Sequence, residues 1–325
     1  MCRHLAYLGP PLALADVVVR PPKGLYEQSW APRLQRYGTV NADGFGIGWY
    51  PHTSGAAGPH PDPGPCEPAA APDEDGGMPA RYRRAVPVWA DTNLPDLTRA
   101  VRSGAVLAAV RDATEGTAQD ETAAAPYAHG RWLFSHNGAV GDWEDLIDDL
   151  GEQVAPSRLL GLESRCDSAL LWTLLTRHLD AGEPVEEALA SLTVRVARIR
   201  PAARLNFLLT DGSTVLATRR GDTLWYRTGP RSVWVASEPD AGQGAGDGRD
   251  SAEDARQGGA ESAPGLGSGL GPGPGSGSRT GSGPGSGAGS EAGWQEVPEE
   301  SLLVATATTV RTVPLVHASE RIPIA

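Results

Sequence analysis

The sequence predicts an α+β domain built from layered sheets, and three observations carry that expectation. Short apolar runs bounded by turn residues recur along the chain, which is the pattern of half-buried strands. Two long stretches with helical spacing stand next to each other in the middle of the chain. Asp211-Gly212, set between LNFLL and TVLAT, is a hairpin signal joining two of the runs. Many hairpin-like strands with a central helical pair fit sheets covered by helices.

Taken in order, strands are expected at Arg3–Leu8, Gly44–Tyr50, Ala105–Arg111, Arg131–His136, Ala203–Leu209, Val215–Thr218, Thr223–Arg227, Val233–Ser237 and Leu302–Thr308. Helical spacing covers Trp143–Leu150, Asp167–Leu179 and Val185–Ile199, the last following Pro184. In the second, Leu171, Leu174, Leu175 and His178 share a face. Two stretches lack apolar content: 52–79, rich in Pro, Gly, Ala and acids, and 241–292, almost wholly Gly, Ser, Pro and Ala. Neither can bury enough apolar surface to offset chain entropy, so both are expected to be disordered insertions. Ordered-looking sequence resumes after each, so residues 2–325 are expected to form a single domain carrying two surface inserts.

Composition narrows the function. Of 325 residues, 40% are hydrophobic, and nine tryptophans promise a buried core. The net charge of −12 argues against a nucleic-acid partner, because phosphate binding needs a clustered positive surface. No run approaches the roughly 18–20 apolar residues needed to cross a bilayer, and the N-terminus lacks a signal-peptide pattern. Three scattered cysteines, Cys2, Cys66 and Cys166, do not form a disulfide framework, and no metal-ligand spacing appears. A cytosolic protein with no membrane partner and no cofactor is expected.

Five motifs could carry chemistry. Cys2 follows the initiator Met1, whose removal would leave a thiol and an α-amine on one residue. An α-amine with a pKa of about 7.7–8 can serve as base for its own side chain. The competing reading is a small residue opening an edge strand. In Ser135-His136-Asn137-Gly138, the Asn137 amide and the Gly138 N–H suit an oxyanion, although Asn-Gly alone reads more readily as a hairpin turn. Arg111, in Val110-Arg111-Asp112-Ala113-Thr114, can grip a carboxylate with help from the Thr114 hydroxyl, or simply end a strand. Asp167 opens an apolar helix, where it can hold an ammonium group or act as the N-cap. The glycines of Asn41-Ala42-Asp43-Gly44-Phe45-Gly46-Ile47-Gly48 suggest a tight turn into a strand with close backbone approach. No helix follows them, which excludes a dinucleotide fingerprint.

Together these motifs resemble the class II glutamine amidotransferases, a family of N-terminal-nucleophile hydrolases. The resemblance runs from Cys2 to about Glu238 and resumes at Trp294. It implies a four-layer αββα sandwich with the nucleophile on the first strand. It further implies that Cys2 is nucleophile and base, that Asn137 and Gly138 form the oxyanion hole, that Arg111 and Thr114 bind a substrate α-carboxylate, and that Asp167 binds its α-ammonium. Within the family, MCRHLAYLG, PPKGLYEQSWAPR, NADGFGIGWY, VPVWADTNLP, LAAVRDATEG, FSHNGAV, CDSALLWTLL, ARLNFLLTDG, GDTLW and VASEP are similar to amidohydrolases that release glutamate from small-molecule γ-glutamyl amides. A glutaminase passing ammonia to a partner synthase and a thiol-based sensing module remain open beside that expectation. A cationic leaving product would call for an aromatic wall. Trp30 and Trp89 are candidates, with core packing the competing reading. The residues leave the oligomeric state unassigned.

Overall fold

The computed structural model describes residues 2–51, 77–114, 116–241 and 293–319. All of them belong to the unit formed by Met1–Gly242 and Ser290–Ala325. The two expected inserts lie almost wholly outside the described residues.

In chain order the strands are β1 (Arg3–Ala13), β2 (Phe45–Trp49), β3 (Ala80–Arg84), β4 (Arg102–Val110), β5 (Tyr127–His129), β6 (Trp132–Ala139) and β7 (Arg204–Thr210). They continue with β8 (Val215–Arg219), β9 (Trp225–Gly229), β10 (Ser232–Ala236), β11 (Gln295–Glu296), β12 (Ser301–Ala305) and β13 (Val310–Pro314). One sheet has the order β11-β9-β10-β1-β4-β2-β3 and the other β13-β12-β8-β7-β6-β5. Every pairing is antiparallel.

Period-two alternation builds the layers. Along β1, Leu5 and Tyr7 enter one apolar cluster while Ala6 and Leu8 enter another. β4 divides likewise, with Val106, Ala108 and Val110 on one face and Ala105 and Leu107 on the other. On β6 and β7, Leu133 and Leu208 join the second of these clusters, which fills the space between the sheets. Their neighbours Phe134, Phe207 and Leu209 face the helices Asp167–Asp180 and Val185–Ile199. The outer face of the seven-stranded sheet is covered by Val17 and Val18 of a short π-helical turn, by Leu25, and by Leu94 of the helix Leu94–Ala100. The result is an αββα sandwich in which central strands are buried on both faces.

All nine expected strands and all three expected helical stretches occur, with ends shifted by a few residues. The hairpin at Asp211-Gly212 joins β7 to β8, and Gly212 holds a φ of +88° that favours glycine. Close approach explains two other glycines: a Cβ on Gly46 would collide with the Ala125 carbonyl, and one on Gly48 would meet Leu133 Cδ1 at 2.7 Å. Asn137-Gly138 is not a hairpin turn. It lies inside β6, opposite Asn206 and Leu205 of β7.

Candidate active site

Cys2 stands immediately before β1 and is partly exposed. Its face follows from the alternation of the strand. Ala6 and Leu8 point between the sheets, so His4 and Cys2 fall on the same side. His4 confirms the register: its Nδ1 lies 3.2 Å from Ser135 Oγ on β6 in the facing sheet. One period further along β6, Asn137 also faces the interlayer. Ser237, just beyond β10, joins the two strands. Its hydroxyl oxygen accepts hydrogen bonds from the His4 amide at 3.0 Å and from Asn137 Nδ2 at 3.2 Å. Burial, with the nearby His136 and Arg3 charges, holds the His4 imidazole well below its ordinary value.

One cleft brings together Cys2, Arg111, Thr114, Gly138 and Asp167. Asn137 does not line it. That side chain is wholly buried, with Oδ1 lacking a hydrogen-bond partner among the described residues.

The charged walls are held rigidly. Arg111 follows the last residue of β4, and its backbone is clamped to the turn before β2 by Arg111 N–Gly44 O (2.8 Å) and Asp43 N–Arg111 O (2.9 Å). Its Nη2 donates to Thr117 Oγ1 at 3.0 Å and to the Ala118 carbonyl at 2.7 Å. Thr117 Oγ1 in turn donates to the Thr114 carbonyl at 2.6 Å. The guanidinium and the loop bearing Thr114 therefore form one unit. Across the cleft, Asp167 is the first residue of its helix and Cys166 takes the N-cap position, so the capping reading is displaced by one residue. Asp167 Oδ1 accepts from Ser168 N at 2.8 Å and Oδ2 from Val140 N at 3.0 Å, which aims the carboxylate toward β6. A fixed cation facing a fixed anion suits an α-amino acid zwitterion.

His136 connects these walls. Its Nε2 donates to the Arg204 carbonyl at 2.9 Å, and its Nδ1 lies 3.0 Å from Ser168 Oγ. Gly138 admits no side chain, since a Cβ there would collide with the Arg204 carbonyl and approach His136 Nε2 to 2.5 Å. Beneath the cleft, Tyr127 Oη lies 3.3 Å from Cys166 Sγ. Burial raises the pKa of both groups, which disfavours a thiolate at Cys166. Among the described residues no group of three His, Cys, Asp or Glu side chains could hold a metal ion. No described helix is long and apolar enough to cross a membrane.

Trp30 and Trp89 are neither core residues nor cleft lining. They are 42% and 41% exposed and meet edge to face at 5.8 Å. Sequence reasoning missed the support around Cys2. Ser237 follows a strand of ordinary appearance. Glu238 lies 2.9 Å from Arg3 with both side chains buried, and only its place in VASEP hinted at a role.

The sandwich and its cleft define an N-terminal-nucleophile hydrolase architecture, and the family model described as class II glutamine amidotransferases matches residues 27–232. The chain belongs to that family of cysteine-dependent amidohydrolases. It is 41% identical over 241 residues to the γ-glutamyl-hercynylcysteine sulfoxide hydrolase of Mycolicibacterium smegmatis, covering 74% of this chain and 88% of that one. The hydrolase of the same name from Mycobacterium tuberculosis H37Rv is 37% identical over 248 residues, covering 75% and 88%. Among solved structures, a glutamine aminotransferase class-II domain protein from Silicibacter pomeroyi shares the fold, with a TM-score of 0.52, 21% identity, and coverage of 97% and 99%.

Proposed function

We propose that this protein hydrolyses the γ-glutamyl amide of γ-glutamyl-hercynylcysteine S-oxide, releasing glutamate and hercynylcysteine S-oxide through a thioester on Cys2. The observation that carries the reading is the meeting of Cys2, Arg111, Gly138 and Asp167 in one cleft, in a chain about 40% identical to hydrolases named for that substrate. Arg111 with Thr114 takes the α-carboxylate of the glutamyl unit and Asp167 its α-ammonium. These contacts fix the γ-carbonyl over Cys2, so orientation supplies part of the rate.

Removal of Met1 frees the Cys2 amine. That amine accepts the thiol proton through water, and the thiolate attacks the γ-carbonyl carbon. The oxyanion receives hydrogen bonds from the Gly138 N–H, which lines the cleft, and from Asn137 Nδ2, which reaches it from the adjoining buried position beside Ser237. The carbon–nitrogen bond breaks as the Cys2 ammonium protonates the departing nitrogen. Water, deprotonated by the amine, then attacks the thioester. The collapse of that second intermediate returns the thiol and frees glutamate.

The test is glutamate release from the S-oxide and from glutamine, each followed with protein whose N-terminus is Cys2. The account expects a higher kcat/KM on the S-oxide. Preference for glutamine would instead make the protein an ammonia-supplying subunit.

A further inference from the structure

We propose that Arg204 and Tyr37 form the subsite for the leaving group, with the Arg204 guanidinium gripping the carboxylate on the carbon next to the scissile nitrogen. The inference rests on the γ-glutamyl amidohydrolase reading and adds a specificity site beyond the glutamate contacts.

Residues 30–40 have no regular structure, yet the base of the loop is closed tightly. Asn41 N donates to the Ser29 carbonyl at 2.6 Å, and Asn41 Nδ2 donates to the Gln28 carbonyl at 3.1 Å and to Gln35 Oε1 at 3.0 Å. This is an Ω-loop, a form that often carries function. Of two consecutive residues at its tip, one touches the cleft lining and the other touches Arg204, which lies outside that lining. Gly38, at φ +70°, lies so close to the carboxylate of Asp112 that a Cβ would collide with it, and Asp112 lines the cleft beside Cys2. The Tyr37 ring lies against Arg204, whose Cζ is 4.4 Å from the ring centroid. The Arg204 carbonyl is packed against Gly138, also in the cleft wall. Adjacent Cα atoms are about 3.8 Å apart, so the loop tip reaches from Asp112 to Arg204 beside the cleft mouth.

Arg204 is prepared to receive an anion. Its Nε donates to Asp222 Oδ2 at 3.1 Å, and Asp222 is itself buried. Tyr37 covers one face of the guanidinium. Among the described residues neither Nη atom makes a hydrogen bond, and the side chain is 20% exposed. A guanidinium tethered at one edge and stacked on a ring offers its other edge to a carboxylate with little entropy left to lose. The surroundings supply apolar surface as well: Trp30, Leu34, Val40 and Trp89 are all exposed on or beside the loop. Such a concentration marks a binding surface rather than a solvated loop.

The charges then divide by role. Arg111 and Asp167 serve the glutamyl half, and Arg204 serves the other half. An amino-acid leaving group carries an α-carboxylate next to the scissile nitrogen, whereas the ammonia of glutamine carries nothing. The subsite therefore selects γ-glutamyl amino acids over glutamine.

The test compares γ-glutamylcysteine with γ-glutamylcysteamine, which differ only by that carboxylate, as substrates for full-length wild type, Arg204→Gln and Tyr37→Leu. Wild type is expected to prefer the carboxylate-bearing substrate. Arg204→Gln should lower the ratio of the two kcat/KM values by roughly 10- to 100-fold, the value of a charge-assisted pair. Tyr37→Leu, which spares the Asp222 tether and serves should Arg204→Gln fail to fold, should lower the ratio in the same direction by less. An unchanged ratio in a folded variant would overturn the subsite. A wild type that releases glutamate from neither compound nor from the S-oxide would overturn the underlying reading instead.

Discussion

Ser237 Oγ lies 3.2 Å from Asn137 Nδ2 and 3.0 Å from the amide of His4, so one buried hydroxyl ties the strand behind the nucleophile to the amide proposed for the oxyanion. Ser237→Ala leaves Asn137 free to rotate away from the γ-carbonyl. Because the misplaced contact matters most in the transition state, kcat should fall by about 10- to 100-fold with little change in KM. Ser237→Thr should recover part of the loss. Steady-state kinetics on the S-oxide check this, and parallel changes in KM would argue for a purely structural role.

Arg3 and Glu238 form the most deeply buried ion pair described, 2.9 Å apart with side chains 1% and 0% exposed. Burial lowers the pKa of Arg3, and the charges of Glu238, Asp222 and Cys2 oppose that shift. Glu238 Oε2 also accepts a hydrogen bond from Arg33 N at 2.8 Å, which anchors the loop beside the cleft. Glu238→Gln strands the cation and should destabilise the fold by about 3–5 kcal/mol. Urea denaturation reads the change directly. A loss within about 0.5 kcal/mol, the usual scatter of surface changes, would contradict it.

His4 predicts an acid-sensitive stability. Its folded pKa is depressed, so the native state keeps the imidazole neutral while the unfolded chain binds a proton below about pH 6.5. The unfolded state then holds more protons, and stability rises with pH across that window. The contribution is complete above about pH 6.5 and is lost toward lower pH at up to ~1.4 kcal/mol per unit. His4→Gln should flatten that part of the profile when unfolding free energies are compared between about pH 7.5 and about pH 5.5. An equal slope in both proteins would assign the acid sensitivity elsewhere.

Strand positions were legible because alternation leaves a plain pattern, as in LAY at the start and LNFLL in β7, whereas the αββα layer order was implied by the family resemblance. Short edge elements were not. β3 reads ARYRR, with every residue only partly buried, and β13 reads VRTVP, so neither offers apolar contrast. Asn137-Gly138 misled in the other direction. Local turn preference favoured a hairpin, and pairing with Asn206 and Leu205 of β7 overrode it. The motif residues were legible as chemical types, and five of the six proposed roles fall on residues lining one cleft. The supporting contacts were hidden because Ser237 meets Asn137, and Tyr37 meets Arg204, across long stretches of sequence. Tyr37 and Arg204 are brought together only by the closed loop and the β6–β7 ladder.

The central claim is that Cys2, with its amine free, is the nucleophile. Intact-protein and peptide mass spectrometry on enzyme quenched during turnover of the S-oxide tests it most directly. The account predicts a chain beginning at Cys2 and a γ-glutamyl adduct on the Cys2-Arg3 peptide that is missing in Cys2→Ala, which releases no glutamate. A fully active protein that retains Met1, or a Cys2→Ala variant with wild-type turnover, would contradict it.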